Sequence, residues 1–406
     1  MDRRNLLKTA VGVGAYTALL GDARAAGTSR APHLKIAAVK AAAFSKSQKR
    51  FVRVYTDQGL TGTGEADETT GVEEIINQDM GPGLAGRDPL DIEGIYFDLW
   101  SRIHARGLGG PYLSAVSAVE MALWDLAGKA FGLPIYRLMS GRVRDKIAVY
   151  FCVNDPKQAA EVVRTTGVRA IKASLGPFGH DIGPTLDIGG KPGGLRLTAR
   201  QIDAIGAYAA AMRAAIGPDV ELAIDCRSLF DTESAVQVAK AIEPSRPMWL
   251  GEPTASDNPE LTRRIREQTR VSIACGENIY TRWGFRPFLE KQTAHIIQPD
   301  ISKTGGLLET RKIAQMAETY VVDVAPHGVA TPLGQMAFMQ VCSTIPNFMI
   351  LEWGMYSVDR YNQMVKRPEV KDGYVEVSDA PGIGAELNQD AIQEGLLPGY
   401  TLPEHL

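Results

Sequence analysis

The sequence predicts an α/β protein, a (β/α)₈ TIM barrel with an α+β module before it and a returning segment after it. Three observations predict it. From Leu222 to Trp353, short apolar runs stop abruptly at polar residues: ELAIDCR, PMWLGEP, SIACGEN, HIIQPD, VVDVAPH and ILEW. Helical stretches follow them, and short buried strands alternating with helices form parallel βαβ units. The polar residues at those ends are Asp225, Glu252, Glu277, Asp300, His327 and Glu352; ionisable groups gathered at strand carboxyl ends mark the catalytic face of such a barrel. Finally, 406 residues are enough for a barrel and a second module.

The chain opens with Arg3-Arg4, an apolar run from Ala10 to Leu20, and Ala23-Arg24-Ala25. A charged start, a short apolar core and an A-x-A site describe an export signal. The paired arginines and the weak, Gly-containing core are similar to the twin-arginine type. Residues 1–25 are therefore expected to be removed, leaving a periplasmic or secreted protein.

Residues 30–143 read as a compact α+β module. IAAVKAAAF and FVRVYTDQG are strands, Asp57-Gln58-Gly59 signals a turn, and helices are expected over Ile92–Ile103 and Ser114–Ala130. The barrel is expected over 144–356. Its first strand is Ile147–Val153 and its second Val168–Ala173; the remaining six end at the polar residues above. Between the second and third lies the Gly/Pro-rich tract Leu175–Gly194, which carries His180 and Lys191. A loop of that length at a strand's carboxyl end reads as a lid or specificity loop. Residues 357–406, including GYVEVSDAPGIGAEL, read as strand and turn material returning to cover the first module.

Composition limits the partners. With 44 basic and 47 acidic residues, net −3, the chain offers nothing to nucleic acid or an anionic membrane as a bulk partner. Apart from the signal there is no membrane-spanning stretch, and the expected partner is a small-molecule acid. Cys152, Cys226, Cys275 and Cys342 do not make a disulfide framework in a chain of this size. By strand alternation Cys226 points away from the face of Asp225, whereas Cys275 shares the face of Glu277.

SAVEMALWDLAGKAFGLPIYRLMSG, IEPSRP, IIQPDISKTGGLLETRKIA, VAPHGVATPLG and PGIG together resemble the enolase superfamily in its mandelate racemase branch, nearest to the galactonate dehydratase-like sugar-acid dehydratases. The resemblance covers nearly all of the mature chain. It implies a modified barrel, an α+β capping domain completed by the C-terminal segment, a homo-oligomer, Mg²⁺, and removal of the proton next to a substrate carboxylate. Such a proton is very weakly acidic, and a divalent ion held by carboxylates stabilises the resulting charge by several kcal/mol. The implied ion ligands are Asp225, Glu277 and Glu252. His327 is the implied base with Asp300 as its partner, and Glu352 is placed to donate a hydrogen bond to the leaving hydroxyl or the enediolate. Lys172, Ser174, His180 and Trp353 are the candidate substrate contacts.

Three departures bear on this expectation. Aligning IEPSRP puts the family's second ligand position on Gly251, midway in the chain between Asp225 and Glu277. Glu252 is one residue late, so alternation turns it away unless the backbone bulges. Arg227 occupies the position of the dehydratases' acidic histidine, and arginine does not release a proton at working pH. It can bind a substrate carboxylate, take part in the reaction as the electrophile, or pair with Asp225 and Glu277 as a cation replacing a cation. Lys172-Ala173-Ser174 stands where racemases carry Lys-x-Lys, which disfavours two-base racemisation. The sequence thus leaves dehydration first, epimerisation or cycloisomerisation with an acid from the Gly-rich tract second, and a metal-free barrel acting as a binding protein third.

Overall fold

The computed structural model describes residues 32–44, 49–106, 109–175, 194–354, 363–385 and 387–406. Residues 1–25, where an export signal is expected, and His180 and Lys191 lie outside them. Three antiparallel strands, β1 (Ile36–Ala43), β2 (Arg50–Thr56) and β3 (Thr61–Ala66), form the sheet of the first module in the order β1-β2-β3. Helix α1 (Ile92–Ser101) and the long helix α2 (Pro111–Phe131) complete it. Val116, Val119, Leu123 and Leu126 of α2 are buried among the strand residues. The GTGEA tract explains how close they come. A Cβ on Gly62 would stand 2.1 Å from the Ala122 carbonyl oxygen and one on Gly64 2.2 Å from that of Ala118. Only glycine lets the helix backbone lie that near the strand.

The barrel strands are β4 (Lys146–Cys152), β5 (Ala170–Ser174), β6 (Glu221–Asp225), β7 (Trp249–Gly251), β8 (Ile273–Cys275), β9 (Ile296–Ile297), β10 (Asp323–Val324) and β11 (Leu351–Glu352). They pair in parallel in the order β10-β9-β8-β7-β6-β5-β4-β11. The ring closes where Val324 N donates to Asn347 O at 2.9 Å and Met349 N to Val324 O at 2.8 Å. Its interior layer is Tyr150, Ala170, Ala223, Trp249, Ala274, Ile296, Ala325 and Ile350. Large rings against alanines fill the bore, as a packed barrel requires. Tyr150 and Trp249 meet edge to face, centroids 5.6 Å apart.

Cys275 corrects the alternation argument. It packs in the apolar layer with Ile273 and Phe285 while Ala274 faces the bore. Gly276, at φ 127°, breaks the pleat, so Glu277 points inward without Cys275 sharing its face. All four cysteines are free thiols.

The C-terminal segment does two things where covering the first module was expected. Its strand β12 (Tyr374–Glu376) adds antiparallel to β4 of the barrel. Further on it reaches the first module: Ile383 N donates to Asp125 Oδ1 at 2.9 Å and Arg53 Nη1 to Pro403 O at 2.5 Å. Two buried carboxylates of that module also start barrel helices. Glu65 accepts from Thr331 N at 2.8 Å, Thr331 Oγ1 and Gly334 N at 3.1 Å, capping the helix Pro332–Cys342. Glu120 accepts from Leu307 N at 2.8 Å and Leu308 N at 2.9 Å, capping the helix Leu307–Glu318. These are orphan N–H groups of helix first turns met by acids from another domain. Gly306 makes the second contact possible, since a Cβ there would lie 2.1 Å from Glu120 Oε2.

Candidate active site

Asp300 and His327 lie beyond the ends of β9 and β10 and form a parallel bridge with each other. His327 Nδ1 is 2.7 Å from Asp300 Oδ2. A carboxylate there keeps the proton on Nδ1 and leaves Nε2 as the working atom. Nε2 stands 3.5 Å from Glu277 Oε2 and 3.6 Å from Glu352 Oε2. Burial pulls the imidazole's pKa down, but Glu352, Glu277 and Asp300 together outweigh it and raise it to about 9. Asp300 is fully buried. Its burial is likewise outweighed, by Lys303 and His327, so its carboxyl sits well below the usual range. Lys303 Nζ is 3.6 Å from Asp300 Oδ2 and 3.9 Å from Asp67 Oδ2 of the first module.

Lys172 stands on β5 with its ammonium 2.9 Å from Glu352 Oε1 and 3.7 Å from Asp225 Oδ2. Burial acts to lower its pKa, yet the Cys152 thiol, Glu352, Tyr150 and Asp225 hold it well above the lysine range. Glu352 accepts from Tyr150 OH at 3.2 Å and Cys152 Sγ at 2.7 Å. Burial would raise the Glu352 carboxyl, but Lys172 and His327 pull it far below. Glu352 thus accepts hydrogen bonds from its protein neighbours. Ser174 Oγ donates to Asp225 Oδ2 at 3.4 Å, and so joins the same cluster. Trp353, a candidate substrate contact, packs instead in the apolar core. It is fully buried under the Arg367 guanidinium, which lies 5.2 Å from its ring centroid.

Asp225, Gly251 and Glu277 occupy the corner where an ion is expected. Glu252 has a φ of 41°, the break in the strand that would be needed to turn it, but its carboxylate is committed to protein. Oε1 accepts from Gly276 N at 2.5 Å and Glu277 N at 3.1 Å; Oε2 accepts from Ser228 Oγ at 3.1 Å and Ser256 Oγ at 2.6 Å. Burial, with Glu277 and Asp225 nearby, raises its pKa to about 7. Arg227 does not replace the ion by pairing. Its backbone N–H donates to Asp225 Oδ1 at 3.0 Å, but among the described residues no carboxylate pairs with its guanidinium. The cation beside Asp225 is Lys172.

Sequence reasoning missed Lys303, Asp67, Cys152 and Tyr150. Lys303 had a signal, being one helical turn beyond Asp300 in a turn-rich tract. Asp67 had a weaker one, as the polar residue just past a strand of the other module. Cys152 and Tyr150 sit inside an apolar run and carry no signal.

Two family models cover this architecture: the mandelate racemase / muconate lactonizing enzyme N-terminal domain over residues 25–140 and the enolase C-terminal domain-like family over 155–391. The chain belongs to the enolase superfamily. Among its curated relatives are the D-xylonate dehydratase of Haloferax volcanii, 36% identical over 86% of each chain, and the D-galactonate dehydratase of Pectobacterium atrosepticum, 32% identical over 85% of this chain and 90% of that one. A mandelate racemase/muconate lactonizing enzyme-like protein from Rubrobacter xylanophilus superposes with a TM-score of 0.81 at 31% identity, covering 91% of this chain and 99% of that one. The 3,6-anhydro-D-galactonate cycloisomerase of Zobellia galactanivorans gives 0.79 at 26% identity, covering 89% and 99%.

Enolase superfamily enzymes generally use Mg²⁺. The donor set here does not fit a three-carboxylate site: one corner is glycine, and the neighbouring glutamate spends both oxygens on protein donors. Among the described residues no group of three or more acidic, histidine or cysteine side chains is arranged to hold an ion.

Proposed function

We propose that the chain is a carbon–oxygen lyase that dehydrates a sugar acid. The single observation that carries this reading is the His327–Asp300 pair at 2.7 Å, with Nε2 turned toward half-buried Glu277 and buried Glu352. His327 Nε2 takes the proton next to the substrate carboxylate, and Asp300 stabilises the imidazolium. The departing hydroxyl leaves from the adjacent carbon with the proton returned by His327, a syn elimination. One C–H and one C–O bond break, water forms, and the enol becomes a 2-keto acid. Arg227 cannot supply that proton; its guanidinium, free of described carboxylates, binds the substrate carboxylate as a fork. Lys172 stabilises charge developing beside Glu352. The dehydratase relatives support the substrate class. The cycloisomerase likeness makes product analysis the deciding step.

The test is a panel of aldonic acids incubated with the mature chain, with and without Mg²⁺, assayed for 2-keto acid. At least one acid gives product, and His327→Asn gives none. Isomerised acid without a keto product, or no turnover of any acid, sinks the reading. The reading extends to export: residues 1–25 act as a twin-arginine-type signal and the enzyme works outside the cytoplasm.

A further inference from the structure

We propose that this chain has lost its own divalent-ion site through the glycine at position 251, and that an acidic side chain placed there would rebuild it. The register of β6 and β7 sets Gly251 level with Asp225. Nothing about the backbone requires glycine. Gly251 is absent from the positive-φ positions. A Cβ there would stand 3.5 Å from Trp249 Cδ1 and Nε1 and 3.6 Å from Gln298 Oε1, ordinary contacts with side chains alone. Its neighbour on the next strand is the opposite case: Gly276 has φ 127° and would drive a Cβ to 2.7 Å from Phe285. Glycine at 276 serves the fold, whereas glycine at 251 leaves a place for a side chain that is missing.

The same corner holds an unmet donor. Trp249 Nε1 is buried and has no hydrogen-bond partner. Leaving such a group unpaired costs about 1–3 kcal/mol, and an oxygen on a side chain at 251 would lie within reach of it. Glu252 cannot take over, because freeing it would strand four donors on Gly276, Glu277, Ser228 and Ser256.

The two remaining carboxylates already have internal counter-charges. Lys172 Nζ lies 3.7 Å from Asp225 and His327 Nε2 3.5 Å from Glu277. Mg²⁺ sheds its waters reluctantly and needs oxygen ligands in near-octahedral order. Two carboxylates held by buried cations offer too little for it to settle unaided.

The inference rests on the corner's geometry and not on which acid is turned over, so its test uses binding. Mg²⁺ is titrated calorimetrically into the full mature chain, Gly251→Ala, Gly251→Glu and Gly251→Asp, with thermal melts in Mg²⁺ and in chelator. Wild type and Gly251→Ala give no saturable heat below about 1 mM Mg²⁺ and no chelator-sensitive shift. Gly251→Glu or Gly251→Asp, whichever folds, binds at least ~10-fold tighter and melts higher in Mg²⁺, and adding Asp225→Asn removes that gain. Submillimolar binding by wild type overturns the proposal whatever the variants do. So does a folded acidic variant that gains nothing, since the corner would then not face the pocket.

Discussion

The imidazole of His327 is held by Asp300 through a 2.7 Å contact on one nitrogen, while Lys303 approaches the same Asp300 oxygen at 3.6 Å. Asp300→Asn keeps the shape and removes the charge. Turnover of the acid substrate should fall ~10²–10⁴-fold, the usual range for disabling a general base. The His327 pKa should drop, read by NMR of the imidazole. An unchanged histidine titration would show that the pair is not electrostatically linked.

His327 is raised from 6.5 to about 9, and only its neutral form can accept a proton. The pH profile of kcat/KM, which reports the free enzyme, should therefore rise with pH through an acid limb near 9. The sign for stability is opposite. A histidine raised on folding contributes stability that is complete below 6.5 and lost as pH climbs through about 9. Melting temperature should decline across that window, and less so in His327→Asn. An acid limb near 6.5 would contradict the charge arrangement.

Lys172→Met removes the buried cation between Glu352 and Asp225. Breaking a buried pair from one side typically costs about 3–5 kcal/mol. Urea unfolding of this variant should show that loss, with a smaller loss in Lys172→Met combined with Glu352→Gln. A double-variant loss equal to the sum of the losses in Lys172→Met and Glu352→Gln alone would mean that Lys172 and Glu352 are not coupled.

Glu65→Ala leaves the first-turn donors at Thr331 and Gly334 without their acceptor. Each unmet buried group costs about 1–3 kcal/mol, and hydrogen exchange should quicken at the start of the helix Pro332–Cys342. If exchange there is unchanged while global stability falls, the carboxylate does not cap that helix.

Residues 1–25, fused to a folded reporter, should carry it across the membrane of a bacterium with twin-arginine export. Replacing Arg3 and Arg4 by lysine should strand it inside. Export that ignores the substitution would assign the segment another role.

The strand ends were legible because polarity changes sharply there. Asp225 and Glu352 close their strands, and Asp300 and His327 stand together just past theirs. What alternation could not deliver lies where the pleat breaks. Gly276 let Glu277 turn inward without Cys275, and the left-handed backbone of Glu252 aimed it at the Gly276 and Glu277 amides. Pairings across domains were also hidden. Asp67 meets Lys303 only because the first module lies on the barrel, and no spacing within one strand encodes that. Trp353 shows the limit of adjacency: its neighbour Glu352 faces the cluster, so the pleat sends the indole into the core.

The acids at 65 and 120 also constrain how this architecture can be inherited. The helices that follow the Asp300 and His327 tracts begin on groups belonging to the opposite domain. A cap borrowed from a cousin would keep those starts intact only if it brought matching carboxylates at both places. Recombination between relatives should therefore favour exchange of whole chains or of peripheral loops, leaving the seam between cap and barrel to descend as one unit.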